Sequence, residues 1–140
     1  MIRRCITGGS NLLREISLNG KVFSGQGEGE KFARLPWFKK QLEEKLGFSP
    51  YPGTLNIKLS RDSVKLKKLL RKAKPIQICP IEGFCQGVSF KAHLCDLECA
   101  IIIPKIANYP ADVIEVVAQT NLRKKLRLKD GDVVEVKVTF

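Results

Sequence analysis

The amino-acid sequence predicts a mainly β fold with two short helices (α+β), its strands closing into a small six-stranded β-barrel. Three observations lead there. From residue 76 onward, short apolar runs recur between turn residues, and closing such strands on themselves removes the unpaired edges that an open sheet would leave. Helix-period patterning is confined to two early stretches, near residues 36–46 and 65–74. The chain has 140 residues, enough for one domain with a real core and too few for two large ones.

Taken in order, residues 1–19 read as an N-terminal leader containing the loop-forming cluster Thr7-Gly8-Gly9-Ser10-Asn11, and residues 20–140 as the barrel domain. A strand from Gly20 to Ser24 leads into Gly25, Gly27 and Gly29, which alternate with Gln26 and Glu28. Backbone N–H groups can turn outward there with no Cβ in the way, and such a turn can hold an anion. Pro36 suits the first turn of a helix, where its missing N–H costs nothing. Phe38, Leu42 and Leu46 repeat along one face, Trp37 joins the core, and Gly47 is placed to end the helix in a left-handed conformation.

Pro50, Pro52 and Gly53 enforce a turn before Thr54. Leu55, Ile57 and Leu59 then alternate with Asn56 and Lys58 as a strand with one apolar face. A basic amphipathic helix follows, with Leu66, Leu69, Leu70 and Ala73 apolar. Ile76 and Ile78 lead to a turn at Pro80 to Gly83, and Val88, Phe90, Ala92 and Leu94 alternate through another strand. Ala100 to Ile103 is a continuous apolar run, as expected of a strand buried on both sides. Val113 to Ala118 forms a strand, Leu122 to Leu128 one or two helical turns, and Asp130-Gly131 a turn. Val134, Val136, Val138 and Phe140 line one face of the last strand.

Lys and Arg number 25 against 14 Asp and Glu, a formal charge of +11 that favours anionic partners such as nucleotides, nucleic acid or a membrane surface. No apolar run reaches the roughly 20 residues needed to span a bilayer, and the N-terminus lacks a secretory pattern. A cytoplasmic location without membrane attachment is expected. Five cysteines in that setting argue against a disulfide-built scaffold. Cys79, Cys85, Cys95 and Cys99 lack the paired two-residue spacing of a zinc knuckle, so structural or disulfide-capable cysteines are the preferred reading. His93 reads as an exposed strand residue.

Thr54 and Asn56 lie two apart on the polar face of a strand, putting a hydroxyl and an amide oxygen on one side of the pleat. Hard oxygen ligands of this kind suit Mg²⁺, which takes one or two protein groups and completes its shell with water and phosphates. Both ligands are neutral, so the charge balance falls to a nucleotide's phosphates. The glycine run is not a Walker A motif, because no Gly-Lys-Ser or Gly-Lys-Thr ends it. Glu115 has apolar neighbours on both sides and either points outward or faces a pocket, where it could orient or deprotonate a hydroxyl. Arg123 is a candidate phosphate fork.

These residues, with Leu46-Gly47-Phe48, Tyr51-Pro52-Gly53-Thr54-Leu55-Asn56, Ile103-Pro104-Lys105 and Leu128-Lys129-Asp130-Gly131-Asp132, resemble the archaeal CTP-dependent riboflavin kinases from about Gly20 to Phe140. The resemblance implies a cradle-loop type β-barrel that transfers the terminal phosphoryl group of CTP to the 5′-hydroxyl of riboflavin, giving FMN and CDP with one Mg²⁺ bound beside the nucleotide. It implies that Gln26, Gly27, Glu28, Gly29, Glu30 and Lys31 wrap the nucleotide, joined by Thr120, Asn121, Leu122 and Arg123. Thr54 and Asn56 become the metal ligands and Glu115 the catalytic carboxylate on the flavin side, near Ala107 and Asn108. Ala107 stands where the family tends to carry a hydroxyl, and Gln119 where proline is common. The partners expected are riboflavin, FMN, CTP and CDP, with no nucleic acid, and the chain is expected to be a monomer. Two rival readings remain: a basic barrel that binds nucleic acid, and a flavin-binding protein without catalysis.

Overall fold

The computed structural model describes residues 2–3, 15–25, 35–79 and 86–139. The loop expected at Thr7 to Asn11, the turn at Pro80 to Gly83 and the final Phe140 lie outside these. The described strands are β1 (Ile2–Arg3), β2 (Glu15–Phe23), β3 (Leu55–Leu59), β4 (Ile76–Ile78), β5 (Gly87–Leu94), β6 (Leu97–Pro104), β7 (Val113–Ala118) and β8 (Val133–Thr139). The helices are α1 (Pro36–Leu46), α2 (Arg61–Lys67), which runs into a 3-10 turn at Lys68–Lys72, and α3 (Leu122–Lys125).

The sheet order is β1-β8-β2-β3-β7-β6-β5-β4, and a further β8–β5 pairing closes it. Six strands, β2, β3, β7, β6, β5 and β8, therefore form a closed antiparallel barrel, as expected from the sequence. β1 adds to β8 in parallel and β4 to β5 antiparallel. The closing contact pairs His93 with Lys137, so the exposed histidine sits on the seam.

Alternation decides which residues fill the barrel. Ile16, Leu18 and Val22 of β2, Leu55, Ile57 and Leu59 of β3, Ile114 and Val116 of β7 and Val134, Val136 and Val138 of β8 share one buried cluster. The strand expected to begin at Gly20 begins at Glu15, because Ile16 and Leu18 continue the inward set of Val22 and pair with β8. The boundary placed after residue 19 thus falls within a strand.

A second cluster lies outside the barrel. Phe38, Leu42 and Leu46 of α1 pack with Phe48, Ile78, Ala100, Ile102 and Val117. Each such side chain removed from water contributes about 1.5–3 kcal/mol, which explains why β6 is apolar at every position from Cys99 to Ile102: alternate residues face barrel and helix. Trp37 packs against this cluster, its ring edge-on to Phe38 at 6.2 Å. Gly47 ends α1 with φ 83°, its N–H donating to the Glu43 carbonyl. The Gln41 side chain pairs with both backbone groups of Cys79, and Lys45 Nζ donates to the Gln77 carbonyl at 2.9 Å, fixing α1 along β4.

The second basic helix is shorter than its pattern suggested. Leu70 and Ala73 are buried, but Leu66 and Leu69 are exposed; after Lys67 the chain tightens to three residues per turn, so the residues beyond it no longer continue the face of the preceding helix. Ser63 instead meets the barrel, its Oγ accepting from the Asn19 N–H at 2.8 Å. Cys79 and Cys95 each take part in a disulfide, whereas Cys99 is free and buried. Burial, and then the Glu98 charge, push the Cys99 thiol up to about 12, so it offers no thiolate. The described residues contain no group of three or more metal-binding His, Cys, Asp or Glu side chains. None of the described helices is long and apolar enough to cross a membrane.

Candidate functional site

The barrel register builds the site. Phe23 pairs with Asn56, Asn56 with Glu115, and Glu115 with Ile102, and residues directly paired across antiparallel strands point to the same face. Since Ile102 packs outside the barrel, Asn56 and Glu115 also project outward. Glu115 is nevertheless only 1% exposed. The two readings open to it from the sequence, outward or pocket-facing, thus both describe the same side chain.

A buried carboxylate requires hydrogen-bond donors. Thr54 Oγ1 donates to Glu115 Oε1 at 3.0 Å, and the Tyr109 hydroxyl donates to Oε2 at 2.7 Å. Thr54 directly precedes β3, two residues from Asn56 on the same face, so hydroxyl, amide and carboxylate lie side by side. Gly25 completes this corner: a Cβ built on it would lie 3.0 Å from Asn56 Cγ. The start of the glycine run therefore rests directly on the Asn56 amide, an approach that a side chain would obstruct. Gln26, Gly27, Glu28, Gly29, Glu30 and Lys31 lie outside the described residues.

Beside Thr54 opens a cleft of about 250 Å³ lined by Tyr51 to Leu55, Val116, Ala118 and Thr120 to Arg123. It joins the Pro-Gly-Thr-Leu-Asn segment to the Thr120-Asn121-Leu122-Arg123 segment. Tyr51 N–H donates to the Ala118 carbonyl at 2.7 Å, stitching the two together. Asn121 caps α3, its Oδ1 accepting from the Lys124 N–H, while its Nδ2 donates to the Tyr51 hydroxyl at 3.4 Å. Leu122 is buried in the barrel cluster, so it anchors the segment.

Arg123, which lines the cleft, reaches the end of β2 and the turn before β8. Its Nη2 lies 2.9 Å from Asp130 Oδ1 and donates to the Phe23 carbonyl at 3.3 Å, while Ser24 Oγ donates to both Asp130 carboxyl oxygens at 3.1 Å. Hydrogen bonds from Arg123 and then Ser24 hold the Asp130 carboxyl below the usual carboxylate range. This clasp fixes the residues that lead into the glycine run.

Ala107 and Asn108 are exposed in the turn after β6, Asn108 with φ 65°. From that turn Tyr109, rather than either of them, bonds to Glu115. Tyr109, Tyr51 and Asp130 were not singled out as site residues in the sequence. Tyr51 and Asp130 stand in segments that carry the family resemblance and Tyr109 beside Pro110, but turn residues carry no chemical signature of their own.

Hydroxyl, amide and carboxylate oxygens beside this cleft form a hard donor set, which fits Mg²⁺ held jointly with phosphate groups. Thr54 is suited to such a contact, because donating its proton to Glu115 leaves its lone pairs for a cation.

Residues 22–138 match the family model of the CTP-dependent riboflavin kinases, described as "Domain of unknown function DUF120". The chain belongs to this family. It is similar to proteins named riboflavin kinase from Archaeoglobus fulgidus, 43% identical over 130 residues, and Pyrobaculum islandicum, 45% identical over 130 residues. Each match covers 88% of this chain, but 54% and 60% of those proteins. The riboflavin kinase of Ignicoccus hospitalis is 41% identical over 132 residues, covering 89% of this chain and 72% of its own. The chain thus spans little more than half the length of the first two relatives. The matched region of this CTP-dependent riboflavin kinase family chain includes Thr54, Asn56, Glu115 and Arg123.

Proposed function

We propose that this chain transfers the terminal phosphoryl group of CTP to the 5′-hydroxyl of riboflavin, yielding FMN and CDP. The observation that carries the reading is the meeting of Thr54, Asn56 and Glu115 beside the cleft that Thr54 lines, with the head of the glycine run resting on Asn56. Membership of the family supports the substrates.

In this reading the glycine run, Thr120, Asn121 and Arg123 hold the triphosphate, with Leu122 anchoring their segment in the core. Thr54 and Asn56 hold Mg²⁺, which when bound draws charge from the phosphates. Glu115 orients the riboflavin 5′-hydroxyl, with Ala107 and Asn108 bordering the flavin. The hydroxyl oxygen forms a bond to the terminal phosphorus as the bridging oxygen–phosphorus bond breaks, and CDP leaves with that bond's electrons. The hydroxyl proton passes to Glu115. Positioning and charge neutralisation supply most of the acceleration in such a transfer. Burial helps, because the water-excluded carboxylate needs little solvent rearrangement when it takes the proton.

The test is to incubate the protein with riboflavin, Mg²⁺ and each nucleoside triphosphate in turn, resolving FMN from riboflavin by chromatography. FMN formed preferentially with CTP is expected. No FMN with any donor would sink the kinase reading, and equal yields with ATP would remove the donor assignment.

A further inference from the structure

We propose that Tyr109 is a positioning residue for Glu115, an inference that rests on the kinase reading above. A glutamate carboxylate turns easily about its last side-chain torsion, which is broad and roughly two-fold. A single hydrogen bond from Thr54 to Oε1 would tether one oxygen and leave the plane free to swing. The Tyr109 bond at 2.7 Å is on the other oxygen, so the two donors together fix the plane. A carboxylate has about four lone-pair sites, and these bonds determine where the others point.

The backbone places the phenol there deliberately. Asn108 turns through a left-handed conformation at φ 65°, the Tyr109 N–H donates to the Ile106 carbonyl at 3.1 Å, and Pro110 follows. The chain folds back so that the ring reaches the strand entered four residues later. Ala107 has no polar side-chain atom, so the hydroxyl this turn supplies is that of Tyr109. The same chain of bonds runs through Glu115 to Thr54, so Tyr109 sets both the acceptor-facing carboxylate and the direction of the Thr54 hydroxyl proton.

Tyr109→Phe keeps the ring and removes only the oxygen. Turnover should fall by about 10- to 100-fold, the scale found when a hydrogen-bond partner that orients a metal ligand is lost. The KM for CTP and the thermal unfolding midpoint should stay close to wild type. In a double-mutant cycle with Glu115→Gln, the second substitution should cost almost nothing, because the proposed effect of Tyr109 on turnover passes through the carboxylate. A merely structural tyrosine would give multiplying losses or a lowered midpoint with unchanged turnover, and either overturns the inference. So would wild-type turnover in Tyr109→Phe. A wild-type protein that makes no FMN would overturn the kinase reading and this inference with it, whereas an active wild type with an indifferent Tyr109→Phe overturns this inference alone.

Discussion

Two networks among the described residues flank the cleft, and they are built on opposite terms. At the Glu115 corner Thr54, Tyr109 and Glu115 are joined around a carboxylate that is 1% exposed. At the clasp Ser24, Arg123 and Asp130 are joined around a carboxylate whose side chain is 59% exposed. Buried, a lost partner leaves an unsatisfied group at a cost of about 1–3 kcal/mol or more. In the clasp, water and salt replace a lost partner readily. The difference assigns different work: the buried corner holds one geometry, as the proposed proton transfer demands, while the exposed clasp ties Ser24 and the Phe23 carbonyl to Arg123 and Asp130.

The largest effect should come from breaking the corner. Glu115→Gln keeps the shape but cannot take a proton, and its NH₂ meets hydroxyls that formerly donated. Turnover should fall by roughly 10²–10³-fold, within the range for a lost general base. CTP affinity, measured by calorimetry, should remain near wild type. Wild-type rates in this variant would remove the catalytic role and erase the contrast between the two networks.

Thr54→Ala and Asn56→Ala should act next most strongly, and on a different quantity. Each removes one proposed ligand, so the Mg²⁺ concentration giving half-maximal activity should rise on the order of tenfold, equivalent to one contact of about 1.4 kcal/mol. Titrating Mg²⁺ into protein with CDP, followed by heat, reads the same change without turnover. An unchanged metal requirement in both variants would place the ligands elsewhere. Thr54→Ser, which keeps the hydroxyl that donates to Glu115, should stay close to wild type.

These contrasts also mark what the sequence made legible. Alternation in β3, β7 and β8 identified the inward faces, and the continuous run in β6 correctly signalled cover on both sides. The pattern Phe38, Leu42, Leu46 with Gly47 located α1 and its end. The same alternation could say only that Glu115 faces one side of its strand. Whether that side is wet depends on what covers it, a matter of tertiary packing that no local period carries. Tyr109 and Asp130 were hidden for a related reason, since each reaches its partner through a turn. Leu69 misled in the opposite sense, because a helical period continued in the sequence where the backbone had tightened.

The smallest effect should come from the clasp. Asp130→Asn removes the charge that meets Arg123 but keeps an oxygen for Ser24, so the KM for CTP should rise only about two- to fivefold, with turnover nearly unchanged. High salt should shrink the gap between variant and wild type, because exposed charges are screened. Acid should shrink it as well. The Asp130 carboxyl in the folded chain titrates below its ordinary value of 3.8, so its contribution to stability is complete above about pH 4 and is lost as the pH falls through the lower folded value. Unfolding midpoints of wild type and Asp130→Asn should therefore differ most near neutrality and converge as the pH falls below 3.8. A gap that widened in acid would reverse the sign expected of a carboxylate held in its charged form. If Asp130→Asn instead depressed turnover as deeply as Glu115→Gln, the exposed clasp would be as rigid a part of the chemistry as the buried corner, and exposure would no longer distinguish them.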